Sequence, residues 1–535
     1  MNTCAFLAKM ARQRGDAPAL LHGDESISYR EFHERALAVG GNLLARGLER
    51  GDRVAFALHN SPRVMETIYG CFAAGLVVVP VNARLHPREM GYIVGNSDAS
   101  VLIHSPEFND GILEHGEAFA GVSERFCTHP AEGAIPYEEL LDAGAGLRAP
   151  VDVAPEEPAW LFYTSGTTGR PKGATWTHRT IRVVVMNYLA DVHNIQPGEM
   201  VLHAAPMSHG SGIVALPAVA RGATQAIFES RSFEPKLLFA DIERLKVSHI
   251  AFLAPTQIIR MLDDYVPGAF DLGSLRAICY GGAPIYVEQL RHAIQVFGPV
   301  FAQIYGQGEA PITITGLTAA AHAELIAAND DRIGSAGTIR TDVEARVVDT
   351  EDRELPPGEP GEVVVRGDVV MAGYWNDPAA TEEAMRGGWL HTGDIGAFDE
   401  QGYLFLLDRA KDMIITGGNN VYPREVEEVI VEHPAVANAV VLGVPHKYWG
   451  EAVHAVVVLE PGGRATAEDI IAHCANSLAG YKKPKAVDFV DELPLSGYGK
   501  VMRREIRERY WAGHERRVGG AGAATAGAPD GGGRR

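Results

Sequence analysis

Eleven residues, Tyr163 to Gly173 (YTSGTTGRPKG), hold four aliphatic hydroxyls, three glycines and one lysine. The hydroxyls of Thr164, Ser165, Thr167 and Thr168 can donate to phosphate oxygens. Gly166 and Gly169 let backbone N–H groups approach an anion, and Lys172 can neutralise it. The segment reads as a cradle for a polyphosphate. It is not a Walker loop, because GxxxxGK[ST] spacing is absent: Lys172 follows Arg170 and Pro171 and precedes Gly173. A plain Ser/Thr/Gly linker shares the composition but has no use for the Gly-Arg-Pro-Lys ending.

Such a cradle needs rigid elements behind it. Through most of the chain, helical periods alternate with short β-branched runs, the pattern of parallel sheets covered by helices. Ser28 caps a predicted helix through Phe32, Ala36, Leu43 and Leu44 that stops near Gly47. GDRVAFAL at 51–58 is predicted as a strand, followed by a helix over Val64 to Ala74 and a strand at LVVVPV. The rhythm recurs at Met200 to Ala205, His249 to Leu253 and Ala277 to Tyr280, and the apolar AWLF before the cradle is another strand. This predicts an α/β fold with doubly wound sheets. From about Gly361 short strands (EVVVRG, GYLFLLD) predict a small β-rich subdomain. Beyond Asp412 a helix (Arg424 to His433), two strands (AVANAVVLGV, EAVHAVVVLE) and a helix (Ala467 to Leu478) predict a smaller α+β domain. The expected division is 1–408, 409–515 and a disordered tail over 516–535, where GGAGAATAGAPDGGGRR has no apolar payload.

At 535 residues the chain exceeds a single core, since compact domains hold on the order of 100–200 residues. A net charge of -20 repels phosphate backbones and anionic lipids, which argues against nucleic acid and membrane partners. Any anionic ligand must be held by local donors. Cys4, Cys71, Cys127, Cys279 and Cys474 form no CxxC pair and are odd in number, so neither a zinc site nor a disulfide framework is suggested and a cytoplasmic location is expected. The N-terminus lacks a signal peptide's apolar region. The most apolar stretch, Ile68 to Val81, is interrupted by Gly70, Gly75 and Pro80 and falls short of the ~20 residues that span a bilayer.

The cradle resembles the signature of the adenylate-forming superfamily of acyl-CoA synthetases, peptide-synthetase adenylation domains and luciferases. GGAP at 281–284, YGQGEA at 305–310, TGD at 392–394, DRAKD at 408–412 and PLSGYGKVMRR at 494–504 match that family in the same order, over about residues 15–510. The resemblance implies an ATP-dependent carboxylate:CoA ligase that forms acyl-AMP with release of pyrophosphate and passes the acyl group to CoA. It also implies a large N-terminal domain and a smaller mobile C-terminal one. Attack of a carboxylate on an α-phosphate brings two anions together, so positioning and charge neutralisation must carry the catalysis.

By that resemblance Glu309 binds Mg²⁺ with Thr164, hard oxygen ligands that suit this ion. Gly308 stands where most of the family has a threonine that contacts the α-phosphate, which puts one contact in doubt. Gly282, Ala283 and Pro284 are expected along the adenine, with Tyr305 stacked on it and Gly306 beside it. Asp394 is expected to accept from both ribose hydroxyls, although a Gly-Asp pair is also an ordinary turn. Arg409 is expected near the nucleotide and Lys411 at the hinge, although a charge run such as DRAKD is more often a solvated face. Gly417 and Gly418, with the loop to Asn420, are expected to admit a pantetheine arm, and Trp449, Lys483 and Lys485 to meet CoA. Lys500 is expected to reach the α-phosphate and the attacking carboxylate during adenylation. His209, in PMSHGSG, occupies a gating position beside the acyl pocket, which Gly210, Gly282 and Gly306 are expected to share. Gly210 and Gly212 imply space for a bulky or long acyl group, and no acid in the segment holds an α-ammonium. Transfer to a carrier protein instead of CoA, a non-catalytic adenylate-binding relative and luciferase-like oxidation are the alternatives. Monomer and homodimer are both compatible with the sequence.

Overall fold

The β-branched runs become the parallel strands of two large sheets, and the amphipathic segments between them become their covering helices. The computed structural model describes residues 1–164, 171–283, 285–409, 412–416, 419–495 and 501–512. Two compact units are present. Met1–Thr392 with Gly396–Leu406 makes the first, and Leu407–Pro494 with the helix Arg503–Trp511 and the short Gly393–Ile395 makes the second.

In the first unit one sheet runs, in spatial order, Ile135–Pro136, Glu124–Cys127, Ala99–His104, Arg53–Ala57, Val77–Pro80, Pro158–Thr164 and Lys172–Thr177. All its pairings are parallel except the last. A second, nine-stranded sheet has a parallel middle of Phe301–Tyr305, Ala277–Gly281, His249–Leu253, Met200–His203, Thr224–Ile227 and Pro18–His22. Val77–Pro80 is buried at every position, as expected of a strand covered on both faces. Glu344–Val348, Gly361–Arg366, Leu390–Phe398 and Leu404–Arg409 form a separate four-stranded sheet.

Local chemistry sets the helix ends. The Ser28 hydroxyl accepts from the Glu31 N–H at the start of Tyr29–Ala45, a cap that contributes about 1 kcal/mol. Pro62–Ala74 opens on proline and closes at Gly75, whose φ of +70 suits a residue without Cβ. Arg35 and Arg63 converge on Glu66, which is 0% exposed, and Tyr137 donates to its other oxygen. That network ties the first two long helices together.

In the second unit Val436–His446 and Gly450–Leu459 pair antiparallel over their whole length, with Pro423–Val431 and Ala467–Ala475 packed against one face. The last helix is pinned by Arg503, which donates to Val441 O at 2.9 Å and to Glu427 at 2.7 Å. Pro62–Ala74 ends where the sequence places it, whereas Pro423–Val431 and Ala467–Ala475 end two and three residues inside the expectation because the residues beyond them turn to cap the last carbonyls. The glycine-rich tail lies outside the described residues. All five cysteines are buried free thiols. No described helix is long and apolar enough to cross a membrane.

Candidate functional site

The signature segment is a β-hairpin rather than a free loop. Pro158–Thr164 and Lys172–Thr177 pair antiparallel with Trp160 opposite Trp176, Phe162 opposite Ala174 and Thr164 opposite Lys172. Side chains alternate along the strand. Trp160 and Phe162 pack with the large core of the unit, and Leu161 and Tyr163 with a smaller cluster on the other face. Thr164 therefore shares the face of Phe162. The Trp160 and Trp176 rings lie 5.4 Å apart, and Phe162 stacks on Trp176 at 4.9 Å and 12°. This stiff aromatic ladder ends at Thr164 and Lys172. Ser165, Gly166, Thr167, Thr168 and Gly169 lie outside the described residues.

Glu309 arrives from the other sheet, in the turn after Phe301–Tyr305. Gly306 allows that turn to close: a Cβ there would sit 2.6 Å from Ile312 Cα. Ile312 holds a φ of +47, a costly conformation for a β-branched residue. The Trp176 indole donates to Gly308 O at 2.6 Å, which locks the turn to the hairpin. Thr164 Oγ1 then donates to Glu309 Oε1 at 3.2 Å. The expected pair is thus brought together from the carboxyl ends of two parallel sheets, where ligands of such folds bind. Gly308 owes its identity to packing. A Cβ at 308 would overlap the Thr164 methyl and come within 2.8 Å of the Phe162 ring, so these two side chains fill the space that a side chain at 308 would need.

One site residue was not singled out from the sequence. Tyr374 donates from its hydroxyl to Glu309 Oε1 at 2.7 Å. Burial first, and then the Glu309 charge, raise its phenol, so it stays a neutral donor. Lys172 Nζ lies 5.1 Å from the Tyr374 ring centroid and 3.8 Å from Asp377. The signal was Gly-Tyr-Trp followed by Asn-Asp-Pro at 373–378, an aromatic pair set just before a capped helix start.

His209 precedes the helix Gly210–Arg221, and its ring lies 4.8 Å from Phe162. Asn60 holds the approach, accepting from Met207 N and donating to Ala205 O. The space expected from Gly210 and Gly212 is not there. A Cβ on Gly210 would press on the Phe252 ring at 3.1 Å, and one on Gly212 would collide with the Met207 carbonyl. Both glycines serve close packing, so they do not argue for a bulky acyl group.

Gly282 holds a φ of +77 at the end of Ala277–Gly281, with Ala283 after it, and Pro284 lies outside the described residues. Tyr305 is 8% exposed and belongs to the large core cluster. Asp394 lies inside the strand Leu390–Phe398 rather than in an ordinary Gly-Asp turn. Arg409 ends Leu404–Arg409, and Lys411, Gly417, Gly418 and Lys500 lie outside the described residues. On the second unit Trp449, 42% exposed, stacks on His446 at 4.1 Å and 11°, with Lys485 Nζ 5.3 Å from its ring. Lys483, half-buried, lies two residues from Lys485, and burial first, then its charge, lowers the Lys485 ammonium.

The donor set suits a hard cation held chiefly by phosphates. Glu309 directs one oxygen at two hydroxyls, and its Oε2 receives no hydrogen bond among the described residues. No group of three or more His, Cys, Asp or Glu suited to a metal occurs among the described residues. One carboxylate and one hydroxyl would leave the remaining positions to nucleotide oxygens and water, which is how Mg²⁺ is commonly bound.

Residues 7–375 match the family described as AMP-binding enzyme, and residues 425–500 its C-terminal domain. A feruloyl-CoA synthase from Amycolatopsis sp is 37% identical over 94% of this chain and 98% of its own. A fatty acid–[acyl-carrier-protein] ligase, ScoC, from Streptomyces coeruleorubidus is 35% identical over 95% and 96%. The crystal structure of ATP-bound MatB from Rhodopseudomonas palustris superposes with a TM-score of 0.84 at 31% identity, over 95% of this chain and 98% of that one.

Proposed function

Because this chain belongs to the AMP-binding enzyme family, as an ATP-dependent carboxylate:CoA ligase of its acyl-CoA synthetase branch, we propose that the Thr164–Glu309 site carries out acyl-adenylate formation from an aromatic or fatty acid. The observation that supports this placement is the meeting of Thr164 and Glu309, 145 residues apart in sequence, at 3.2 Å.

Lys172 and the hydroxyls of residues 164–168 hold the triphosphate, while Asp394 orients the ribose and Gly282 to Pro284 line the base. Mg²⁺ on Glu309 and Thr164, when bound, neutralises phosphate charge. His209 and Phe162 border the carboxylate end of the acid and exclude water from it. Lys500 approaches the α-phosphate and the incoming carboxylate oxygen, offsetting the charge that builds as the phosphorus–oxygen bond forms and pyrophosphate leaves. The domain division near residue 408, the hinge at Lys411, the pantetheine path past Gly417 and Gly418 and the CoA contact at Trp449 belong to the same proposal, as does a cytoplasmic location. An apolar acid is favoured by the Phe162–His209 border, and feruloyl, indoleacetate and fatty acids are the substrates named for relatives. The carrier-protein ligase relative keeps one second reading open, in which a carrier thiol replaces CoA.

A pyrophosphate-exchange screen over aromatic, aryl-acetic, medium-chain and long-chain acids tests the reading, followed by thioester assays with CoA and with carrier protein. Exchange with at least one apolar acid and thioester formation with CoA are expected. Absence of pyrophosphate release and of ATP binding across the panel would end it.

A further inference from the structure

Building on the nucleotide site assigned above, we propose that Tyr374 is a positioning residue that couples the phosphate-binding lysine to the cation-binding carboxylate. Its hydroxyl sets the direction of Glu309, and its ring face holds Lys172.

A glutamate side chain has three rotatable bonds, and an unrestrained carboxylate samples many directions. Here two hydroxyls converge on one oxygen: Tyr374 at 2.7 Å and Thr164 at 3.2 Å both donate to Glu309 Oε1. That leaves Oε2 as the oxygen available to a cation. The same aromatic ring places its face 5.1 Å from Lys172 Nζ, a cation–π distance, with Asp377 3.8 Å from the ammonium on its other contact. One side chain thus touches both charged partners of the triphosphate.

The backbone around Tyr374 is fixed to both elements that it bridges. Ala372 N donates to Thr175 O, Thr175 N to Gly373 O and Trp375 N to Gly173 O, so the segment is bonded alongside the hairpin through an isolated antiparallel bridge between Ala174 and Tyr374. Met371 N donates to Glu309 O at 2.8 Å, tying the same segment to the glutamate's own turn. Thr381 accepts from Tyr374 N. The phenol is therefore held by main-chain bonds at a fixed height between Lys172 and Glu309. Magnesium and manganese demand near-octahedral geometry, so a ligand free to swing binds them less well, and partners behind a ligand commonly matter 10–100-fold in metal affinity.

Tyr374→Phe removes one oxygen and preserves the ring. Mn²⁺ affinity is read by electron paramagnetic resonance in the presence of α,β-methylene-ATP, and the affinity for the same nucleotide is read separately in EDTA. Y374F should weaken Mn²⁺ about tenfold and leave metal-free nucleotide affinity within twofold. Y374L, which also removes the ring face, should weaken both. Mn²⁺ affinity of Y374F within twofold of wild type overturns the assignment. It does so even if exchange activity or melting temperature falls, because the hydroxyl would then serve the fold alone. If the wild-type protein itself fails to bind the analogue, the nucleotide site is what has been misplaced.

Discussion

Adding a single methyl group at Gly308 should damage the enzyme, and restoring the family's threonine there should damage it more. A Cβ at 308 overlaps Thr164 Cγ2 and lies 2.8 Å from Phe162 Cδ1, inside the ~3.5–4 Å of ordinary carbon contact. Phe162 has little room to retreat, since Trp176 stacks on it at 4.9 Å and His209 lies 4.8 Å away. Thr164 must yield instead. A β-branched residue is stiff at χ1, and the staggered rotation that clears its methyl also swings its hydroxyl away from Glu309. The lost hydrogen bond to a charged group is worth about 1.5–3 kcal/mol, which corresponds to roughly 10–100-fold in rate. Gly308→Ala should therefore lower kcat for pyrophosphate exchange by that factor. Thr164→Ser, which deletes the clashing methyl and keeps the hydroxyl, should be nearly silent alone. In the G308A/T164S double variant it should recover most of the loss. A G308A enzyme with unchanged kcat, a G308T enzyme faster than wild type, or a double variant no better than G308A would each refute the packing argument.

Lys500→Ala should abolish acyl-AMP formation in the exchange assay yet spare thioester formation from supplied acyl-AMP, and equal loss of both would refute separate roles in the two half-reactions. His178, His203 and His322 are buried and pushed down to about 4 from an ordinary 6.5, chiefly by burial, so each is neutral in the fold. Their contribution is complete above pH 6.5 and is lost as pH falls toward 4, by at most about 3 kcal/mol each. Denaturant midpoints should fall from pH 6.5 to 5, and a flat profile there would contradict neutral burial. Glu66→Ala leaves Arg35, Arg63 and Tyr137 around a missing carboxylate and should cost about 3–5 kcal/mol of stability without changing exchange activity per folded molecule. Chemical denaturation alongside active-site titration checks it.

What the sequence made legible was whatever is decided locally. Ser28 and Gly75 announce helix ends because capping and positive φ depend on one or two residues, and Arg53–Ala57 and Val77–Pro80 announce strands because both faces are buried. Glu309 and Thr164 were picked out by resemblance, and their meeting could not be read from composition, since it depends on how two sheets set the ends of their strands. The reading of Gly210 and Gly212 as open space failed for the same reason. A missing side chain says only that something comes close, and here it is the Phe252 ring and the Met207 carbonyl.

Tyr374 shows why residues of this kind escape a linear reading. It carries no charge and stands 65 residues from its carboxylate partner, so the local Gly-Tyr-Trp pattern marks a turn but not what the hydroxyl meets. Its role exists only because the segment at 371–375 is bonded to the hairpin on one side and to the Glu309 turn on the other. The same reasoning applies to Trp176, whose indole must find an acceptor when buried and finds Gly308 O. The proposed site groups are thus few and recognisable, whereas the geometry of Thr164 and Glu309 is set by neutral aromatic donors that tie the two sheets' loops together. A substitution among those donors should therefore cost metal and phosphate positioning before it costs the fold.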